Sequence, residues 1–194
     1  MTWAIKLLSK HPEIQTRLRK EIHDNLPPAR DPESTISPLQ IDHLPYLNAV
    51  CNEVLRFNSP VPSAQRITTH NTTILDQKIP AGTTIVIPNW GINLSPALWG
   101  DDAHVFNPER WLAEGQANAG GASSNFAYMT FLHGPRSCIG KDFAKAEFMC
   151  LLAAWIGRFE VRLEDPSVEE NGEGWVTTRP GNGLRVIFTE VTGW

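Results

Sequence analysis

The chain has 194 residues, 41% of them hydrophobic and 20% charged, with a net charge of -4; it can bury a core in one domain and is not a disordered segment. Its mildly acidic balance, with a pI of about 5.9, offers no basic stripe to neutralise phosphates, which excludes nucleic acid as a partner. Three cysteines, Cys51, Cys138 and Cys150, are an odd number and too few for a disulfide framework, and fit a reducing compartment.

The opening "MTWAIKLLSKHPEIQTRLRKEI" reads as two helical pieces, with Pro12 suited to the first turn of the second and Ile14, Leu18 and Ile22 recurring every four residues. A Pro-rich link, "NLPPARDPESTISP", follows. "PYLNAVCNEVLRF" then places Leu47, Val50, Cys51, Val54 and Phe57 on one helical stripe, and Pro60 and Pro62 end that helix. "TTILDQKIPAGTTIVIP" predicts two short strands joined at a Pro-Ala-Gly turn. From Asn89 to Thr130 the signals are irregular, and "AEGQANAGGASSN" reads as an exposed, flexible loop. "KDFAKAEFMCLLAAWIGRF" is the most hydrophobic helix, and "FEVRLE" and "GWVTTRPGNGLRVIF" predict short strands around a Pro-Gly-Asn-Gly turn. No apolar run reaches the roughly 18 residues a membrane-spanning helix needs, and no signal-peptide pattern opens the chain. The sum is an α+β domain, mainly α, with small sheets at its margin.

The chemistry concentrates in "FLHGPRSCIG", residues 131–140, directly before that last helix. A sulfur near a helix start lies close to the positive end of the macrodipole, which favours its anionic form. Gly134 admits a backbone conformation closed to other residues, and Gly140 lets another body approach the first helical turn. Arg136 offers a cation with several donors suited to a carboxylate, and Phe131 would shield the sulfur from water. Alternatives for Cys138 are a small buried hydrophobe, a zinc ligand lacking partners at short spacing, and a nucleophile paired with a histidine such as His133.

Phe131, Gly134, Arg136, Cys138 and Gly140 match, position for position, the haem-binding loop of the cytochrome P450 family, F-x-x-G-x-R-x-C-x-G. The chain resembles the C-terminal portion of that family, with fungal-like features. The resemblance implies that Cys138 is the axial thiolate of haem b iron, that Arg136 meets one haem propionate, and that Arg66, in "PVPSAQR", meets the other. "EVLR" and "FNPERW" supply Glu53, Arg56 and Arg110, similar to the family's structural Glu–Arg–Arg triad. Without that context, a Glu/Arg pair three apart on a helix reads as a solvated surface pair worth about 0.2–0.5 kcal/mol.

The implied function is a haem-thiolate monooxygenase that inserts one atom of O2 into a small apolar organic substrate, such as a lipid or secondary metabolite. Electrons would come from NADPH through a reductase docking near Lys141 and Lys145. Residues 1–194 are expected to be a partial haem domain, without the family's N-terminal half, its distal oxygen-activating helix and its usual endoplasmic-reticulum anchor, and therefore soluble or peripheral in the cytoplasm. The alternative is a non-catalytic haem-binding or interaction fragment without turnover.

Overall fold

The structure is a computed structural model that describes residues 1–28, 35–116, 119–167, 172–174, 176–181, 183–192 and 194. Two helices open the chain, α1 (Thr2–Lys10) and α2 (Pro12–Asn25), with Pro12 in the first turn of the second, where its missing N–H costs nothing. The link that follows contains residues 29–34, which lie outside the described residues. It ends in a short helix not anticipated from the sequence, α3 (Pro38–Asp42), started by a reciprocal capping box between Ser37 and Gln40.

Helix α4 (Pro45–Phe57) has no side-chain cap of its own. The Glu21 carboxylate of α2 supplies one, accepting the N–H groups of Tyr46 and Leu47 at 2.8 Å each, so a negative charge satisfies two orphan donors at the positive end of α4. The predicted stripe is buried or nearly so, but Glu53 and Arg56 are buried as well, and α4 is enclosed on nearly all sides.

The hairpin region departs from its predicted register. Strand β1 (Ala64–Ile67) pairs antiparallel with β4 (Thr84–Ile87), while β2 (Thr72–Ile74) pairs with β3 (Gln77–Ile79). The reversal lies at Leu75 and Asp76, with Leu75 at φ +51°, and Pro80-Ala81-Gly82 only leads from β3 into β4. A leucine in the left-handed region carries no turn signal, whereas Pro80-Ala81-Gly82 carries one without closing the hairpin.

Between residues 89 and 130 come two short helices, α5 (Asn89–Asn93) and α6 (Pro96–Trp99), and a 3-10 turn at Pro108–Trp111. They enclose a small cluster of Trp99, Trp111, Ala49, Ala103 and Ala127. The segment read as a loose loop is tied to this cluster. The Ser123 N–H donates to Leu98 O, and Gly120 lies so close to the Trp111 ring that a Cβ there would come within 2.9 Å of it; residues 117–118 lie outside the described residues.

A second 3-10 turn, Gly134–Arg136, precedes α7 (Lys141–Arg158). Strand β5 (Phe159–Leu163) follows and pairs with β8 (Val186–Glu190), while β6 (Gly172–Glu173) pairs with β7 (Arg179–Pro180). The Pro-Gly-Asn-Gly segment, whose Asn182 lies outside the described residues, therefore connects strands of two different sheets rather than closing a hairpin.

The main core joins α1, α2, α4, α7 and β5, with Leu8, Leu18, Ile22, Leu47, Val50, Leu152 and Ile156 fully buried. Trp194 closes it. Its ring stacks on His23 at 5.4 Å and lies against Gly157, where a Cβ would fall 2.3 Å from the ring. No helix among the described residues is long and apolar enough to cross a membrane.

Candidate functional site

Glu53 is the hub beneath the site. Its carboxylate accepts from Arg56 Nε and Nη2 at 2.8 Å each, Arg110 Nε at 3.2 Å, the Asn107 N–H at 2.9 Å and Trp111 Nε1 at 2.9 Å. Arg56 gives its remaining donors to the carbonyls of Asn93 and Ala103 at 2.8 Å and Val105 at 3.1 Å. All five of its N–H groups are thus used, as a buried guanidinium requires. Arg110 also reaches Asp102, through its carboxylate at 2.9 Å and its carbonyl at 3.1 Å. The side chains of Glu53 and Arg56 are 0% exposed, which excludes the solvated surface pair. The arrangement staples the irregular segment 93–111 to α4.

Asn93 continues the staple towards residues 131–140. It is fully buried; its amide donates to Thr130 Oγ1 at 2.8 Å and its carbonyl oxygen accepts the Met129 N–H at 2.7 Å. The Thr130 hydroxyl in turn donates to Leu55 O of α4 at 2.8 Å. The loop then leaves with Leu132 at φ +59° and Gly134 at φ +75°. It closes where the Cys138 N–H donates to Phe131 O at 2.9 Å, and the Ser137 N–H to Gly134 O at 3.0 Å. Cys138 lies two residues before Gly140, the N-cap of α7, and is exposed.

Cys138, Arg136 and Phe131 share the wall of a cleft of about 480 Å3, whose other sides include Val54, Leu55, Ala144 and Phe148. Added Cβ atoms at Gly134 or Gly140 would meet nothing within 4 Å, and neither glycine lines the cleft. Arg66, on β1, is exposed, does not line this cleft, and donates to the neighbouring Gln65 carbonyl at 2.8 Å. Lys141 is exposed and Lys145 half-buried; burial, with Lys141 one turn away, pulls the Lys145 ammonium below the usual lysine range. His133 packs edge-on against Phe126 at 5.2 Å. Among the described residues no three His, Cys, Asp or Glu side chains cluster closely enough to hold a metal ion, which leaves the zinc reading without a ligand set.

The family described as Cytochrome P450 matches residues 1–186. The chain belongs to the cytochrome P450 family. It is 50% identical over 195 residues to cytochrome P450 monooxygenase sphH of Aspergillus fumigatus, a match that takes in 100% of this chain and 36% of that protein. It is 40% identical to cytochrome P450 monooxygenase ptmK of Penicillium ochrochloron over 95% of this chain and 36% of the relative, and 38% identical to cytochrome P450 monooxygenase buaD of Petromyces alliaceus over 100% and 37%. The chain therefore spans a little over a third of the length of these curated relatives.

The cofactor of the cytochrome P450 family is haem, and the cleft chemistry fits it. An exposed soft sulfur suits iron, a guanidinium on the same wall suits a propionate, and apolar side chains suit the faces of a flat macrocycle. Asn93, Thr130, Asn107 and Trp111 went unread in the sequence. Apart from the Asn-x-Glu pattern of an N-cap at Asn107, whose side chain accepts from the Glu109 N–H at 3.1 Å, no local signal marks them, because their partners lie far along the chain.

Proposed function

We propose that this chain is the haem-ligating portion of a cytochrome P450 monooxygenase, in which Cys138 would supply the thiolate that holds haem iron. Haem held by a cysteine thiolate supplies the O2 activation that places one oxygen atom on an organic substrate. The protein's part is to present one anionic sulfur at a fixed height, to hold a propionate through Arg136, and to keep water from the sulfur with Phe131. Arg66, which lies outside the cleft wall, would have to turn from the Gln65 carbonyl to take the second propionate; Gly134 and Gly140 would leave room for the ring, and Glu53, Arg56 and Arg110 would hold the scaffold. The substrate class is a small apolar organic molecule, lipid-like or a secondary metabolite. Electrons would arrive from NADPH through a reductase, with exposed Lys141, and Lys145 behind it, facing acidic groups of that partner.

The observation that carries this reading is the shared wall: sulfur, guanidinium and apolar faces line one cleft. The test is the absorption spectrum of the haem-loaded chain, reduced and exposed to carbon monoxide, beside Cys138→Ser. A red-shifted Soret band of the thiolate type that disappears in the variant supports it; a band indifferent to the substitution overturns it.

A second reading, a haem-binding or interaction module without turnover, is favoured by the exposed apolar side of α7, where Phe143 is 75%, Leu151 42% and Trp155 40% exposed. Such a surface favours assembly with further protein. NADPH-dependent product formation by the chain with a reductase would exclude this second reading.

A further inference from the structure

We propose that Asn93 is a positioning residue for Cys138, acting through Thr130 and Phe131. The inference rests on the reading of Cys138 as the iron ligand, but its basis is the geometry of the loop. The loop begins under strain: Leu132, a side-chain-bearing residue, stands at φ +59°, a conformation that persists only where the surroundings over-determine it. Residues 129 and 130, three and two positions before it, provide that restraint, and the Leu132 N–H donates to Met129 O at 3.0 Å.

Asn93 bridges two bodies. Its backbone carbonyl accepts from Arg56 at 2.8 Å, and its side-chain amide donates to Arg56 O at 3.3 Å, so it is fastened to the end of α4. From there the same side chain holds the Met129 N–H and the Thr130 hydroxyl, while that hydroxyl donates onward to Leu55 O. The next carbonyl along the chain, Phe131 O, accepts the Cys138 N–H at 2.9 Å. A displacement at Thr130 therefore moves the acceptor that sets the Cys138 backbone, and with it the position of the sulfur on the cleft wall. Asn93 does not itself line the cleft; it acts by holding Thr130, which does, at the start of the loop.

The experiment uses the full chain and three variants: Thr130→Val, which removes the hydroxyl at nearly constant shape, Thr130→Ser, which keeps it, and Asn93→Ala. Amide hydrogen exchange is read at Cys138 and, as a control, at Leu18 in the core. A positioning role predicts exchange at Cys138 about tenfold or more faster in Thr130→Val and Asn93→Ala, wild-type exchange in Thr130→Ser, and no change at Leu18 in Thr130→Val. It also predicts that Asn93→Ala combined with Thr130→Val adds little to either alone, because both break one relay. Unchanged exchange at Cys138 in Thr130→Val, or acceleration at Leu18 as large as at Cys138, overturns the proposal. If Asn93→Ala does not fold, the two Thr130 variants still decide it. These readings need no haem, so failure of the relay is distinct from failure of the ligand assignment, which Cys138→Ser tests. In the haem-loaded chain, the same relay predicts a less stable thiolate-type carbon monoxide band in Thr130→Val and not in Thr130→Ser.

Discussion

The side-chain amide of Gln15 and the backbone of Val161, 146 residues apart in sequence, exchange two hydrogen bonds: the Val161 N–H donates to Gln15 Oε1 at 2.8 Å, and Gln15 Nε2 donates to Val161 O at 2.9 Å. A helical side chain thus stands beside β5 as the peptide of an adjoining strand would. The same amide also donates to Leu8 O at 3.1 Å, and its oxygen accepts from Arg19 at 2.7 Å. Gln15→Leu keeps the volume and removes every one of these partners. The expected loss is about 1–3 kcal/mol, from leaving a buried peptide unsatisfied, read as a lower denaturant midpoint with faster exchange of the Val161 amide. A midpoint equal to wild type would show that water takes over the role.

Arg56→Met should be more damaging. It leaves the buried Glu53 carboxylate with Arg110 as its one remaining cation and orphans the carbonyls of Asn93 and Ala103, at a cost on the order of 3–5 kcal/mol. Adding Glu53→Leu should not restore stability, because the Asn107 N–H and Trp111 Nε1 then lose their acceptor. Equilibrium unfolding of both variants checks this, and rescue by the double substitution would contradict it.

The three thiols should separate by reactivity. Cys138 and Cys150 are exposed, whereas Cys51 is fully buried, and burial pushes its thiol well above the usual cysteine range. Brief alkylation of the folded chain followed by mass mapping should mark Cys138 and Cys150 and spare Cys51 until denaturant is added. Early labelling of Cys51 would mean that the α4 core opens locally.

Lys145 gives a pH dependence with a definite sign. Its ammonium is held below the usual lysine range, by burial first and by Lys141 second. The folded chain therefore binds this proton less tightly than the unfolded chain, and the charged lysine opposes folding at neutral pH. The opposition fades as pH rises through the folded-state value towards the ordinary lysine value of about 10.4. Lys145→Met should be more stable than wild type at a pH of about 7 and lose most of that advantage by a pH of about 11. Thermal unfolding at both pH values tests this; an advantage independent of pH would assign it to packing alone.

What the sequence reveals divides along physical lines. Cys138, Arg136 and their glycines sit in one ten-residue string, and Glu53 and Arg56 lie one helical turn apart, so their association is visible in the string itself. The burial of that pair was not legible, because the apolar stripe of α4 accounts for one face only, and what covers the other, Trp99, Ala103 and Trp111, lies about fifty residues downstream. Gln15, Asn93 and Thr130 are polar residues that each bond a distant backbone atom, at separations of 36 to 146 residues. No periodicity encodes such pairings. The β2–β3 hairpin was misread for a different reason: its turn uses Leu75 in a conformation that glycine or asparagine ordinarily signals.

Among the described residues, four sheets each contain two strands, and none of these strands exceeds five residues. Among the described residues, every strand therefore has one flank without a neighbouring strand, and at β5 the side chains of Gln15 and Arg19 reach backbone groups of Val161 and Phe159. Rows of unpaired peptide groups are templates for strand addition. Their shortness is the protection: a flank of two to five residues gives an incoming segment too few hydrogen bonds to offset the entropy of ordering it. Insertions that lengthen β1 or β4 should turn this chain towards self-association long before they disturb the helices that carry its core.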